Sequence, residues 1–167
     1  EIILLSNPRE INQDPMKNLI EWLMKQGFAS SKIVVSGDSA GGGLTLALLL
    51  AAKRDGVAQP AGAVVFSPWV DLEGIGESMD SKATLDLMVN REVMGMMANM
   101  FLNGASPRDP LAAPMYGNFA GVAPLYIQVG GDETLLDDSI RLASRAAHDG
   151  VPVHLQVFPE MQHVFQA

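Results

Sequence analysis

Short runs of apolar and β-branched residues alternate along the chain with longer stretches whose apolar positions recur every three or four residues. The short runs are Ile2 to Leu5, Lys32 to Ser36, Ala63 to Ser67, Leu125 to Val129 and Val153 to Phe158. Each is bounded by Gly, Pro, Ser or Asp, which predicts five strands. Between them, Asp14 to Gln26, Ala40 to Arg54 and Leu136 to His148 read as helices, ending near Gly27, Gly56 and Gly150, where a glycine commonly stops a helix. Strand alternating with helix predicts an α/β fold, a mainly parallel sheet with helices on both faces. One segment breaks the rhythm. From about residue 74 to 124 lies an insertion with a helical pattern over Asn90 to Leu102 and then Pro107, Pro110 and Pro114. A connection this long carries structure of its own, and we expect it to cap the carboxyl edge of the sheet.

The 167 residues suit one compact domain. A 48% hydrophobic and 18% charged composition, with mean hydropathy +0.17, fits a packed interior and excludes a disordered chain. Eleven Lys and Arg against nineteen Asp and Glu leave a net charge of -8. That field repels phosphate backbones and anionic lipid, so no nucleic-acid partner is expected. The absence of cysteine removes disulfides, thiolate zinc sites and cysteine nucleophiles together. The longest apolar run, Leu46 to Ala52, is too short to cross a bilayer, and no cationic-then-apolar segment opens the chain. No membrane anchor and a cytoplasmic address are the resulting expectations. The sequence starts with Glu1 and enters the run Ile2 to Leu5 almost at once, so it is expected to be the carboxyl-terminal portion of a longer protein.

In open parallel sheets ligands gather beyond the carboxyl ends of the strands. The residues found there are Asn7, Gly37-Asp38-Ser39, Pro68-Trp69, Gly130-Gly131-Asp132, and Pro159 to His163. Gly37-Asp38-Ser39-Ala40-Gly41 is a G-x-S-x-G pattern set directly between a strand and an apolar helix. A serine on so sharp a turn takes strained backbone angles and projects its hydroxyl clear of the chain. The Ala40 amide, in the first helical turn, has no intrahelical acceptor and suits an oxyanion. A phosphate cradle is the competing reading, but the Lys-Ser/Thr pair of phosphate loops is missing.

A serine nucleophile needs an imidazole base, and the base needs a carboxylate to fix its tautomer. His148 falls in the last turn of a helix, and His154 alternates with Val153, Leu155 and Val157 on a strand. His163, in the loop after the last strand, is the histidine at a carboxyl strand end and the expected base. Asp132 follows the strand Leu125 to Val129 and is the expected acid, with Glu133, Asp137 and Asp138 as rivals. The order Ser39, Asp132, His163 is that of an α/β-hydrolase.

Five motifs carry a resemblance. Gly37-Asp38-Ser39-Ala40-Gly41-Gly42, Ser67-Pro68-Trp69-Val70-Asp71-Leu72, Asp109-Pro110-Leu111-Ala112-Ala113-Pro114, Gly130 through Asp138, and Met161-Gln162-His163-Val164-Phe165 occur in register from about residue 19 onward. The chain is similar to the hormone-sensitive-lipase-like family of bacterial carboxylesterases. That resemblance implies an α/β-hydrolase with a cap, hydrolysing short- to medium-chain carboxylic esters through an acyl-serine. Ser39 would attack, His163 shuttle the proton, Asp132 orient His163 and Ala40 supply one oxyanion amide. No cofactor or metal is implied, the partner would be a small-molecule ester, and a homodimer would pair through Val153 to Phe158. Two departures stand out. The sequence has no His-Gly-Gly-Gly-type oxyanion loop, and Ser6-Asn7-Pro8-Arg9-Glu10 replaces the family's Tyr-Arg-Leu-Ala-Pro-Glu-like stretch. Lactone or amide hydrolysis, or a binding domain that lost its oxyanion loop, are the alternatives.

Met88, Met94, Met96, Met97 and Met100 enrich the insertion, either packing a cap helix on the core or lining an acyl pocket. Trp69 walls the site or plugs the layer beneath the cap. Asp71 and Glu73 are expected to organise a turn.

Overall fold

The computed structural model describes the backbone of residues 2–5 and 13–167 and the side chains from residue 19 onward. Asn7 and the stretch Ser6 to Glu10 lie outside the described residues. The five strands form where the apolar runs predict them: β1 (Ile2–Leu5), β2 (Val34–Asp38), β3 (Gly62–Phe66), β4 (Leu125–Gly130) and β5 (Val153–Phe158). All neighbours pair in parallel, and the sheet order follows the chain, β1-β2-β3-β4-β5. Helices α1 (Gln13–Lys25), α2 (Ser39–Arg54) and α5 (Leu136–His148) make crossovers between successive strands. The β3 to β4 connection instead carries α3 (Ser78–Ser81), α4 (Arg91–Leu102) and a 3-10 turn at Pro114–Tyr116.

The strand order decides which face of the sheet the described helices cover. Parallel crossovers share one hand, so strands laid down in sequence send their helices to the same side. Val35, Ala63, Val65, Leu125 and Ile127 point toward that side. Ile20 and Leu23 of α1 pack with Val35, while Leu46, Leu49 and Leu50 of α2 and Leu142, Ala143 and Ala146 of α5 cover the others. The opposite face presents Val64, Phe66, Tyr126 and Gln128, each partly buried, with no helix among the described residues packed over it. There Tyr126 Oη donates to Gln156 Oε1 at 2.6 Å, and the His154 ring stacks on Tyr126 at 4.9 Å.

Helix α2 is apolar almost all round because it lies against the sheet and α1 and beneath the 3-10 turn, with Leu46, Leu48 and Leu49 essentially inaccessible. Phe119 fills the gap between α2 and α5, and burying a side chain of that size contributes about 1.5–3 kcal/mol. Helix α5 buries only one stripe, Asp138, Ser139, Leu142, Ala143 and Ala146, at the three-to-four-residue spacing of an amphipathic helix. No described helix is long and apolar enough to cross a membrane.

Candidate active site

Strand β2 ends at Asp38 and α2 begins at Ser39, so one residue must turn the chain. Ser39 does so with φ 51°, a left-handed conformation that costs a non-glycine residue about 1–3 kcal/mol. Surrounding bonds hold it there: Trp69 N donates to Ser39 O at 2.9 Å, and Thr45 Oγ1 donates to Gly41 O at 2.9 Å. A Cβ on Gly37 would collide with the Gly41 carbonyl, so the turn closes only with glycine at that position. Ala40 lies in the first turn of α2 and, with Ser39, lines an open cleft of about 680 Å³.

The histidine loop follows β5 and lies against the turn that follows β4. Gly131 N donates to Phe158 O at 2.7 Å and Asp132 N to Met161 O at 3.0 Å. Gly130 approaches Met161 so closely that a Cβ would strike its carbonyl oxygen. His163 is thereby buried at the rim, with Nε2 2.9 Å from Ser39 Oγ and Nδ1 2.6 Å from Glu133 Oε2. A proton on Nδ1, directed at the carboxylate, leaves Nε2 free to accept from the serine hydroxyl.

The carboxylate on His163 is therefore Glu133, and the expectation for Asp132 is corrected. Adjacent residues in a turn point in different directions, and Asp132 turns outward, where its Oδ1 lies 3.3 Å from Lys82 Nζ. Glu133 turns inward and is fully buried. Its second oxygen accepts from Gly130 N at 2.6 Å and from Ser67 Oγ at 2.8 Å. Ser67, also left-handed at φ 45°, in turn accepts from Val164 N at 3.2 Å, so one hydroxyl joins the acid to the histidine loop. Of the predicted residues, the fold brings Ser39, Ala40 and His163 to one rim and leaves Asp132 beside it. Among the rivals, Asp137 Oδ2 accepts from Ser78 N at 2.9 Å, and Asp138 takes the amides of Val70 and Asp71, each at 3.0 Å. His148 ends α5, and His154 is exposed on the sheet face opposite α1, α2 and α5.

Asp86 falls in no motif and Ser67 opens one with no role assigned to it, so sequence reasoning missed the part that each plays. Asp86 reaches the acid turn from the insertion: its Oδ2 accepts from Thr134 N at 2.7 Å and Thr134 Oγ1 at 3.0 Å, and Oδ1 from Met88 N and Val89 N. Burial pushes its carboxyl upward, but the donated bonds from Thr134, Val89 and Met88 outweigh that and hold it below the usual aspartate range. Asp138 goes the other way. Burial and the neighbouring Asp71 carboxylate push it up to about 7, against the Val70 and Asp71 amides and Arg141. Arg141 serves both acids, at 2.7 Å from Asp71 and 3.3 Å from Asp138.

The cleft wall is apolar. Trp69, Leu72, Met97, Met100, Phe101 and Leu111 line it, which sets α4 over the carboxyl end of the sheet. Trp69 fills both expected roles, because it also clusters with Met79, Val89, Met94 and Leu135 beneath the insertion. The methionines divide: Met94 packs inward, Met97 and Met100 face the cleft, and Met88 and Met96 are exposed. Asp71 organises its turn as expected, accepting from Glu73 N at 3.0 Å, while Glu73 takes the Tyr116 hydroxyl at 2.7 Å. Among the described residues, no group of three His, Asp or Glu is placed to hold a metal ion.

The sequence profile of the α/β-hydrolase fold matches residues 10–167. An acetyl-hydrolase of Streptomyces hygroscopicus is 40% identical over 143 residues, 86% of this chain and 48% of that protein. An esterase of Acinetobacter venetianus is 32% identical over 154 residues, covering 92% and 51%. The solved structure of an esterase from the bacterial hormone-sensitive lipase family superposes with TM-score 0.90 at 42% identity, covering 95% of this chain and 55% of that one. The chain thus spans about half the length of the relatives it matches.

Proposed function

Because the chain belongs to the α/β-hydrolase fold family, we propose that its protein is a serine carboxylesterase acting on short- to medium-chain esters. The observation that carries this reading is the unbroken relay from Ser39 Oγ through His163 to Glu133, at 2.9 and 2.6 Å. His163 Nε2 takes the hydroxyl proton as Ser39 Oγ bonds to the ester carbonyl carbon. The imidazolium, balanced by Glu133, then returns that proton to the alkoxide as the carbon–oxygen bond breaks and alcohol leaves. Water repeats the sequence on the acyl-serine, releasing acid and restoring Ser39. The Ala40 amide, free of an intrahelical acceptor, stabilises the tetrahedral oxyanion as one of its donors.

The apolar cleft supports an acyl chain of modest length lying between Trp69 and α4, with the segment from about 74 to 124 acting as a cap. Pairing of two copies through β5 belongs to the same reading, since that strand has β4 as its one neighbour in the described sheet. A fluorophosphonate probe on the intact protein tests the nucleophile. We expect rapid labelling and turnover of p-nitrophenyl acetate and butyrate, both lost in Ser39→Ala. A folded protein that neither labels nor hydrolyses would refute the proposal. Anilides and lactones assayed alongside separate ester preference from other acyl transfers.

A further inference from the structure

Glu133 sits on a turn whose next residue, Thr134, is gripped entirely by the insertion. Asp86 takes both its amide proton and its hydroxyl, and Ser78 Oγ donates to its carbonyl at 2.6 Å. Ser78 Oγ also accepts from Asp137 N at 2.9 Å, extending the grip into the first turn of α5. On one side Lys82 reaches Asp132 at 3.3 Å. On the other, Gln162, which precedes His163, donates to Leu85 O at 3.1 Å and accepts from Leu87 N at 3.1 Å. One stretch, residues 78–89, thus holds both the acid turn and the base loop. The two loops touch each other mainly through the backbone bonds of Gly131 and Asp132, which set their separation and stop one residue short of Glu133.

We infer that Asp86 is a positioning residue for ester hydrolysis, acting through Thr134 to aim the Glu133 carboxylate at His163 Nδ1. The inference rests on the proposed esterase reading and adds to it that the insertion, besides walling the cleft, sets the geometry of the relay. The electrostatic logic is simple. Four donors converge on one buried carboxylate. An amide in its place accepts with one atom only and turns an N–H toward a donor. The Thr134 peptide then tilts, and Glu133 with it. A misplacement on the order of 1 Å in a reacting constellation costs roughly 100-fold.

The test compares the intact protein with Asp86→Asn and Thr134→Val, with rates normalised to Ser39 titrated by the fluorophosphonate. For Asp86→Asn we expect kcat to fall roughly 10- to 100-fold with KM within about 3-fold. The proton resonance of the His163 Nδ1–H bond to Glu133 should shift or broaden, a signature that loss of stability alone leaves in place. Thr134→Val removes only the hydroxyl bond and should lower kcat by about 3- to 10-fold. It decides the matter should Asp86→Asn fail to fold. Unchanged kcat per titrated serine, with the proton resonance in place, would overturn the inference while the parent esterase stands. A parent that hydrolyses no ester would remove the esterase reading and the inference with it.

Discussion

The proposed nucleophile, Ser39, and the proposed acid, Glu133, occupy equivalent places, each on the turn from a strand into a helix, yet they are held by different means. At the β2–α2 turn the backbone does the holding. Gly37 admits the close approach of Gly41, the left-handed Ser39 turns the chain, and Trp69 N caps its carbonyl. At the β4–α5 turn the conformation depends on side chains from distant segments: Ser67 on Glu133, and Asp86 and Ser78 on Thr134. A turn held by backbone contacts resists distant side-chain substitutions and fails as a unit when one of its glycines changes. A turn assembled from outside can lose its aim while the fold survives.

The sharpest break in that comparison is Glu133→Gln. The amide nitrogen would face Nδ1–H, favouring the tautomer whose Nε2 carries the proton and can no longer accept from Ser39. We expect kcat to fall by roughly 10⁴-fold with little change in thermal stability. Asp132→Asn, losing a partly exposed pair with Lys82, should stay within about 3-fold of the parent. Steady-state kinetics on the two variants would show the reverse if Asp132 were the acid.

Gly37→Ala probes the other turn. Its new Cβ meets backbone, which must shift the start of α2, so we expect a loss of about 3 kcal/mol in chemical denaturation. Residual activity per folded molecule should fall as well, because Ser39 rides on the displaced turn. An unchanged midpoint would mean that this turn is more pliant than its geometry indicates.

The smallest expected effect concerns pH. Asp138 is pushed up to about 7 in the fold, against about 3.9 for an unfolded aspartate. Between those values the folded state binds more protons than the unfolded chain, so this group's stabilisation is full below about pH 4. It is lost as pH rises through 7. Asp138→Asn keeps an oxygen acceptor for the Val70 and Asp71 amides and removes the titration. Its stability relative to the parent should therefore improve by on the order of 2 kcal/mol from pH 5 to pH 8. A pH-independent difference in melting temperature would show that Arg141 keeps Asp138 ionised throughout.

Much of this was legible in the residues themselves. Periodicity located the strands, with α5 and β5 bounded as predicted, because apolar spacing and glycine stops act over a few neighbouring residues. The elbow at Ser39 was legible for the same reason, and His163 emerged because the other two histidines had ordinary places on a helix end and a strand. The choice between Asp132 and Glu133 was not. Both are carboxylates on one turn, and what separates them is contact with His163 30 residues away and with Lys82 50 residues away. That the described helices share one face likewise follows from strand order, which spacing along the chain does not record. Local pattern determined the elements and the elbow at Ser39. Only the packed fold, by bringing remote donors to one carboxylate and turning its neighbour toward a lysine, decided which acid faces the base.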